Sequence, residues 1–247
     1  MAAVASNLIL LHGFTHTGAS WDPVVKALGE RYLPVQPDIR GHGSASDRLP
    51  VTLDAVLDDL ESAVAPAGSL TLAGYSMGGR IALHAALSPA IAPKLERLVL
   101  VSASPGLASP DERAARVRQD ERLAAEVEAS TIDQFAARWA QTPVLAGQPP
   151  EVQRAAHADR LRSTPAGLAA ALRGLGTGVL PSLWGRLGEV SVPVTLVVGE
   201  RDAKFRGMAE EMRLALPNAA VTVVQGAGHA VHLEAPAQVA AAIADRG

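Results

Sequence analysis

Short apolar runs alternate with longer stretches of helical periodicity along most of this 247-residue chain. The runs at 7–11, 33–36, 70–73, 97–101, 194–198 and 220–224 show little polar alternation, the pattern of strands buried on both faces. Helical periodicity fills the intervals at 21–29, 53–65, 77–87, 204–216 and 235–244. Alternation of this kind predicts an α/β domain, with a mostly parallel sheet of about six strands flanked by helices. The pattern stops after Val101. Between 105 and 186 no strand-like run occurs, only amphipathic helical patterns at 111–128 and 132–139, broken by Pro143, Pro149-Pro150 and the glycines within 174–178. It resumes at Val192-Pro193-Val194, so 105–186 reads as a helical cap inserted into a core made of 1–104 and 187–247.

The length suits one large domain with an insertion and a substantial buried core. Hydrophobic residues at 48% and charged ones at 19% describe a globular chain. A formal net charge of -3 gives no electrostatic reason to expect nucleic acid or an anionic membrane as partner. With no cysteine, disulfides, thiolate catalysis and cysteine-ligated metals are excluded, in keeping with a cytoplasmic location. No run approaches the roughly 18 apolar residues of a membrane span, and the apolar start at 1–11 lacks the basic segment and cleavage site of a signal peptide. The seven histidines show neither H-x-x-E-H nor H-E-x-x-H spacing, so no metal site is expected. Arginine far outnumbers lysine, which lowers the weight of any single arginine as a functional signal.

The chemistry concentrates at the strand ends. Gly74-Tyr75-Ser76-Met77-Gly78 sets a serine between glycines where an apolar run gives way to a helical one, the spacing of a nucleophile elbow. A serine held on so sharp a turn needs small residues two positions before and after it. The backbone N–H of Met77 then faces any negative charge that develops beside the serine oxygen. A serine hydroxyl needs a histidine to take its proton and an acid to orient that histidine. Asp202 follows the fifth strand and His229 the sixth, in the chain order serine, acid, histidine. Glu200 and Asp38 compete for the acid role and His232 for the base. The first strand ends in Leu11-His12-Gly13-Phe14, where the N–H of Phe14 offers a second oxyanion donor beside that of Met77. His12 reads as a loop-holding residue, and Asp38 to Ser44, including His42, as a brace for the site.

These residues, in this order, resemble the α/β-hydrolase fold family across nearly the full chain, in its shortened six-stranded form. A finer resemblance, extending through the cap, is to the 2-succinyl-6-hydroxy-2,4-cyclohexadiene-1-carboxylate synthases, lyases of menaquinone biosynthesis. It rests on Gly74 to Arg80, on Leu11 to Thr15 with Trp21 following, and on Ser104-Pro105-Gly106-Leu107 leading to Arg116. Gly199 to Phe205, Phe135 to Trp139 and Leu161-Arg162-Ser163 complete it. The resemblance implies proton abstraction from a small polycarboxylate, followed by loss of pyruvate, with no cofactor. Ser76, His229 and Asp202 are then the catalytic set and the Phe14 and Met77 N–H groups the oxyanion hole. Arg80, Arg116 and Arg162 clamp the substrate, and Tyr75 and Trp139 shape its pocket. Arg80 lies one helical turn beyond Ser76 and so on its face; a bond from Arg80 to the cap, solvated roles for Arg116 and Arg162 and a core role for Trp139 stand beside these readings. A monomer or small homo-oligomer is expected. The alternative activity is a carboxylic ester hydrolase working through an acyl-serine.

Overall fold

The computed structural model describes residues 6–64 and 69–245. Ala65, at the end of the predicted 53–65 helix, and residues 1–5 of the apolar start lie outside the described residues. Six strands form one sheet: β1 (Ser6–Leu11), β2 (Tyr32–Val35), β3 (Leu70–Tyr75), β4 (Leu95–Val101), β5 (Val194–Gly199) and β6 (Ala219–Val224). Their order is β2-β1-β3-β4-β5-β6, and all five pairings are parallel. Every residue of β3 is buried, as expected of a central strand covered on both faces. Two apolar clusters supply that cover, one around Leu72, Ile81 and Leu98, the other around Leu8, Leu10, Val99 and Val239.

The core helices are α1 (Asp22–Leu28), α2 (Leu53–Ala63) and α3 (Met77–Ala86). Four helices lie between β4 and β5: α4 (Pro110–Glu128), α5 (Ile132–Trp139), α6 (Pro150–Arg160) and α7 (Pro165–Leu175). Then follow α8 (Ala203–Ala215), a short α9 (Val231–Glu234) and α10 (Pro236–Ala244). None of the described helices is long and apolar enough to cross a membrane.

The sequence pattern reveals α4 and α5 but not α6 and α7, because Pro149-Pro150 and the glycines within 174–178 read as breaks. Each of these helices starts on a proline, Pro150 and Pro165, at the first helical position, where a missing N–H costs nothing. Gly174 lies inside α7 because a Cβ there would run into the Val51 carbonyl.

Side chains tie the inserted helices to the sheet domain. Asp159, near the end of α6, accepts hydrogen bonds from the Thr17 N–H (3.0 Å), the Thr17 hydroxyl and His16 Nδ1 (2.9 Å). On another loop, Arg201 donates to the Gly147 carbonyl (2.9 Å) and to Glu234 (2.7 Å).

Candidate active site

β3 runs directly into Ser76, whose φ of 51° and ψ of -107° put a non-glycine residue in left-handed space just before α3 begins. Close backbone contact on either side enforces the turn. A Cβ at Gly74 would strike the carbonyl of Gly78, and a Cβ at Gly78 would strike those of Leu11 and His12. Met77 is the first residue of α3, so its N–H is among the donors that helix geometry leaves without an internal partner.

His229 lies with Nε2 3.3 Å from Ser76 Oγ and Nδ1 2.6 Å from Asp202 Oδ2. Asp202 caps α8, its Oδ1 accepting the Phe205 N–H at 3.3 Å. The loop carrying His229 is pinned by Glu234, which accepts from the Gly228 N–H at 2.8 Å and from Arg201. Rings of Phe205 and Tyr75 flank the imidazole at 4.5 and 5.3 Å between centroids.

The competing residues are engaged elsewhere. Glu200 accepts the Gly226 N–H. Asp38 accepts from Gly18 and Ser44; burial pushes its carboxyl up, but these hydrogen bonds outweigh it and hold the carboxyl below its ordinary range. His232 is fully buried, stacked 4.1 Å from Tyr75 and 4.9 Å from Trp21. His12 accepts the Ile39 N–H at Nε2 and donates from Nδ1 to the Gly13 carbonyl, both at 2.9 Å; burial pulls its pKa down to about 4. His42, pulled down to about 3 by burial, packs edge-on against His12 and Phe14. Among the described residues no group of histidines and carboxylates is arranged to hold a metal ion.

Ser76 and His229 open into a cavity of about 330 Å³. Phe14, Tyr75, Met77, Arg80, Arg116 and Trp139 all line it. Arg80 is buried, its Nη2 donating to the Leu175 carbonyl at 3.1 Å and its Nε left without a partner. Burial, reinforced by the charge of Arg116, pulls its pKa down to about 10, so it remains a cation at neutral pH. Trp139 is half-buried, meeting Phe14 edge-on at 5.2 Å between ring centroids.

Arg162 does not join this group. α6 ends at Arg160, and Arg162 falls in the turn beyond, its side chain 63% exposed and only loosely paired with Asp159 at 3.9 Å. It borders a shallow surface depression with Asp22 and Asp38 instead. The buried arginine of this segment is Arg160, 1% exposed, with Nε donating to Thr15 Oγ1 at 3.2 Å and both Nη atoms unpartnered. His16 and Lys204 also line the cavity without having been singled out from the sequence. Lys204 stands two residues past Asp202, which was a usable signal; His16 carries no motif of its own.

A model of the alpha/beta hydrolase family matches residues 8–242. A putative 2-succinyl-6-hydroxy-2,4-cyclohexadiene-1-carboxylate synthase from Bacillus subtilis is 34% identical over 93% of this chain and 85% of its own length. The synthase of that name from Escherichia coli O157:H7 is 32% identical over 96% of this chain and 92% of its own. Among solved structures, MenH from S. aureus superposes with a TM-score of 0.92 at 30% identity, covering 98% of this chain and 94% of that one. A thermophilic esterase from Thermogutta terrifontis, with malate bound, gives 0.80 at 27% identity, covering 98% and 89%.

Proposed function

The chain belongs to the alpha/beta hydrolase family, and we propose that within it the chain is a lyase. It takes 2-succinyl-5-enolpyruvyl-6-hydroxy-3-cyclohexene-1-carboxylate to 2-succinyl-6-hydroxy-2,4-cyclohexadiene-1-carboxylate and pyruvate. The observation that carries this reading is the meeting, in one cavity, of Ser76 and His229 with the cationic Arg80 and Arg116. A serine beside an imidazole supplies a base, and arginine forks suit a substrate with carboxylates on its succinyl arm, its ring and its enolpyruvyl group. Relatives bearing the synthase name over nearly the full chain support it.

In the proposed reaction His229 Nε2 takes the Ser76 proton while Oγ removes the hydrogen from the ring carbon bearing the succinyl ketone. The electron pair left behind forms a double bond to the adjacent ring carbon, the existing ring double bond moves one position, and the C–O bond to the enolpyruvyl group breaks. The proton held on His229 then passes to the methylene carbon of the departing enolate, giving pyruvate. Atoms balance without water or cofactor. Asp202 steadies the imidazole and its transient positive charge, as the acid of such a triad does. The N–H groups of Phe14 and Met77 take the ketone oxygen as it becomes an enolate. Arg80, Arg116 and, in place of Arg162, the buried Arg160 hold carboxylates between walls set by Tyr75 and Trp139. The proposal treats 105–186 as a cap over 1–104 and 187–247, and places the enzyme in the cytoplasm as a monomer or small homo-oligomer.

Pyruvate release from the intermediate generated in place tests the reading: wild type releases it and Ser76→Ala does not. A carboxylic ester hydrolase is the second reading, favoured by the same Ser76–His229–Asp202 line with its two oxyanion donors. Cleavage of a nitrophenyl ester without pyruvate release selects it.

A further inference from the structure

One buried charge beside the cavity has no part in the chemistry above. Asp120, on α4 one turn beyond Arg116, is 2% exposed. Its Oδ1 accepts Arg116 Nε at 2.7 Å, while Oδ2 has no donor. The end of α7 closes over that free oxygen, since a Cβ on Gly176 would come within 2.6 Å of it. Burial pushes the Asp120 carboxyl up, opposed by the Arg116 hydrogen bond and by the charges of Arg116 and Arg80. Arg116 lines the cavity and Asp120 does not.

A carboxylate in this place is costly twice over. It gives up water for a single hydrogen bond, and its negative charge weakens the field that two arginines present to an anion. A compensating gain lies in order. The Arg116 side chain is 39% exposed, and immobilising a long arginine costs rotamer freedom, a cost that falls on ligand binding unless something has already fixed the side chain. Asp120 grips Arg116 by Nε, away from the terminal nitrogens that meet a carboxylate.

We propose that Asp120 is a positioning residue that presets Arg116 as an anion-binding fork on the cavity wall, with a gain in preorganisation that exceeds its Coulomb penalty. This deepens the proposed function and rests on its reading of the cavity as a carboxylate site. The role separates from simple charge balance in steady-state pyruvate release. Asp120→Ala raises KM about tenfold, the equivalent of one charge-assisted hydrogen bond, with kcat held within about threefold. Asp120→Asn keeps an oxygen for Arg116 Nε and returns KM to within about threefold of wild type. In an Arg116→Ala background Asp120→Ala adds nothing, because it acts through that side chain. Should the alanine variant not fold, Asp120→Val refills the space without an acceptor and carries the same expectation.

An unchanged or lowered KM in the alanine variant overturns the proposal, as does an equal rise in the asparagine variant or an additive effect in the double variant. If wild type releases no pyruvate, the lyase reading fails separately. Positioning is then read on mono(4-nitrophenyl) succinate against 4-nitrophenyl acetate: KM for the anionic ester rises in Asp120→Ala while that for the neutral ester stays, and no change in either overturns it.

Discussion

Beneath the cavity, Gly74 and Gly78 bring backbone against backbone and Ser76 sits between two fully buried elements. Above it, the inserted helices are joined by side chains: Arg173 of α7 bridges Glu121 and Glu128 of α4 at 2.8 and 2.6 Å, at exposed positions. The lower region fixes where the reacting atoms lie and has no freedom to adjust. The upper region sets Arg116 on the cavity wall opposite the chemistry of the turn, beside Arg80 of α3, and exposed side-chain pairs help to hold it. The catalytic turn thus rests on one rigid region, whereas the charges on the cavity wall come from both.

The sharpest way to break the lower region is Gly78→Ala. Its Cβ meets two carbonyls that cannot move without displacing β1, so a loss of about 3 kcal/mol or more, or failure to fold, is expected in chemical denaturation. Acid attacks the same region next. Burial pulls the pKa of His12 and of His84 down to about 4 and that of His42 down to about 3 in the folded protein, so unfolding below the ordinary value of 6.5 takes up protons. Folded pKa values lie below unfolded ones, so stability is full above about pH 6.5 and falls as pH drops from there toward 4. A denaturation midpoint that stays flat across that window would contradict the neutral, buried state of these rings. Arg80→Ala moves to the recognition side: kcat/KM for the polycarboxylate falls roughly 10- to 100-fold while hydrolysis of a neutral nitrophenyl ester barely changes. Equal loss on both would place Arg80 with the chemistry instead. The smallest effect belongs to Arg173→Ala, an exposed pair whose loss costs about 1 kcal/mol or less in thermal melting.

The same division explains what the sequence disclosed. Strand ends and glycine spacing are local, so Ser76, Asp202 and His229 were legible from order alone, and their 2.6 and 3.3 Å contacts follow once six apolar runs form one sheet. The arginines were harder. Arg160 and Arg162 stand two residues apart, and which one turns inward depends on where α6 stops, a boundary hidden by reading Pro150 as a break rather than a start. Asp120 was illegible for another reason: its setting comes from the end of α7, where Gly176 lies 56 residues further along the chain (176 − 120).

The inserted segment is tethered to separate parts of the core, by Asp159 on the His16-Thr17 loop, Ser163 on Gly43, Thr164 on Ser46 and Gly147 on Arg201. A plate fastened along one line can swing, but one fastened at several separate places can only flex. The inserted segment is thus braced as an arch is, not hung as a door is.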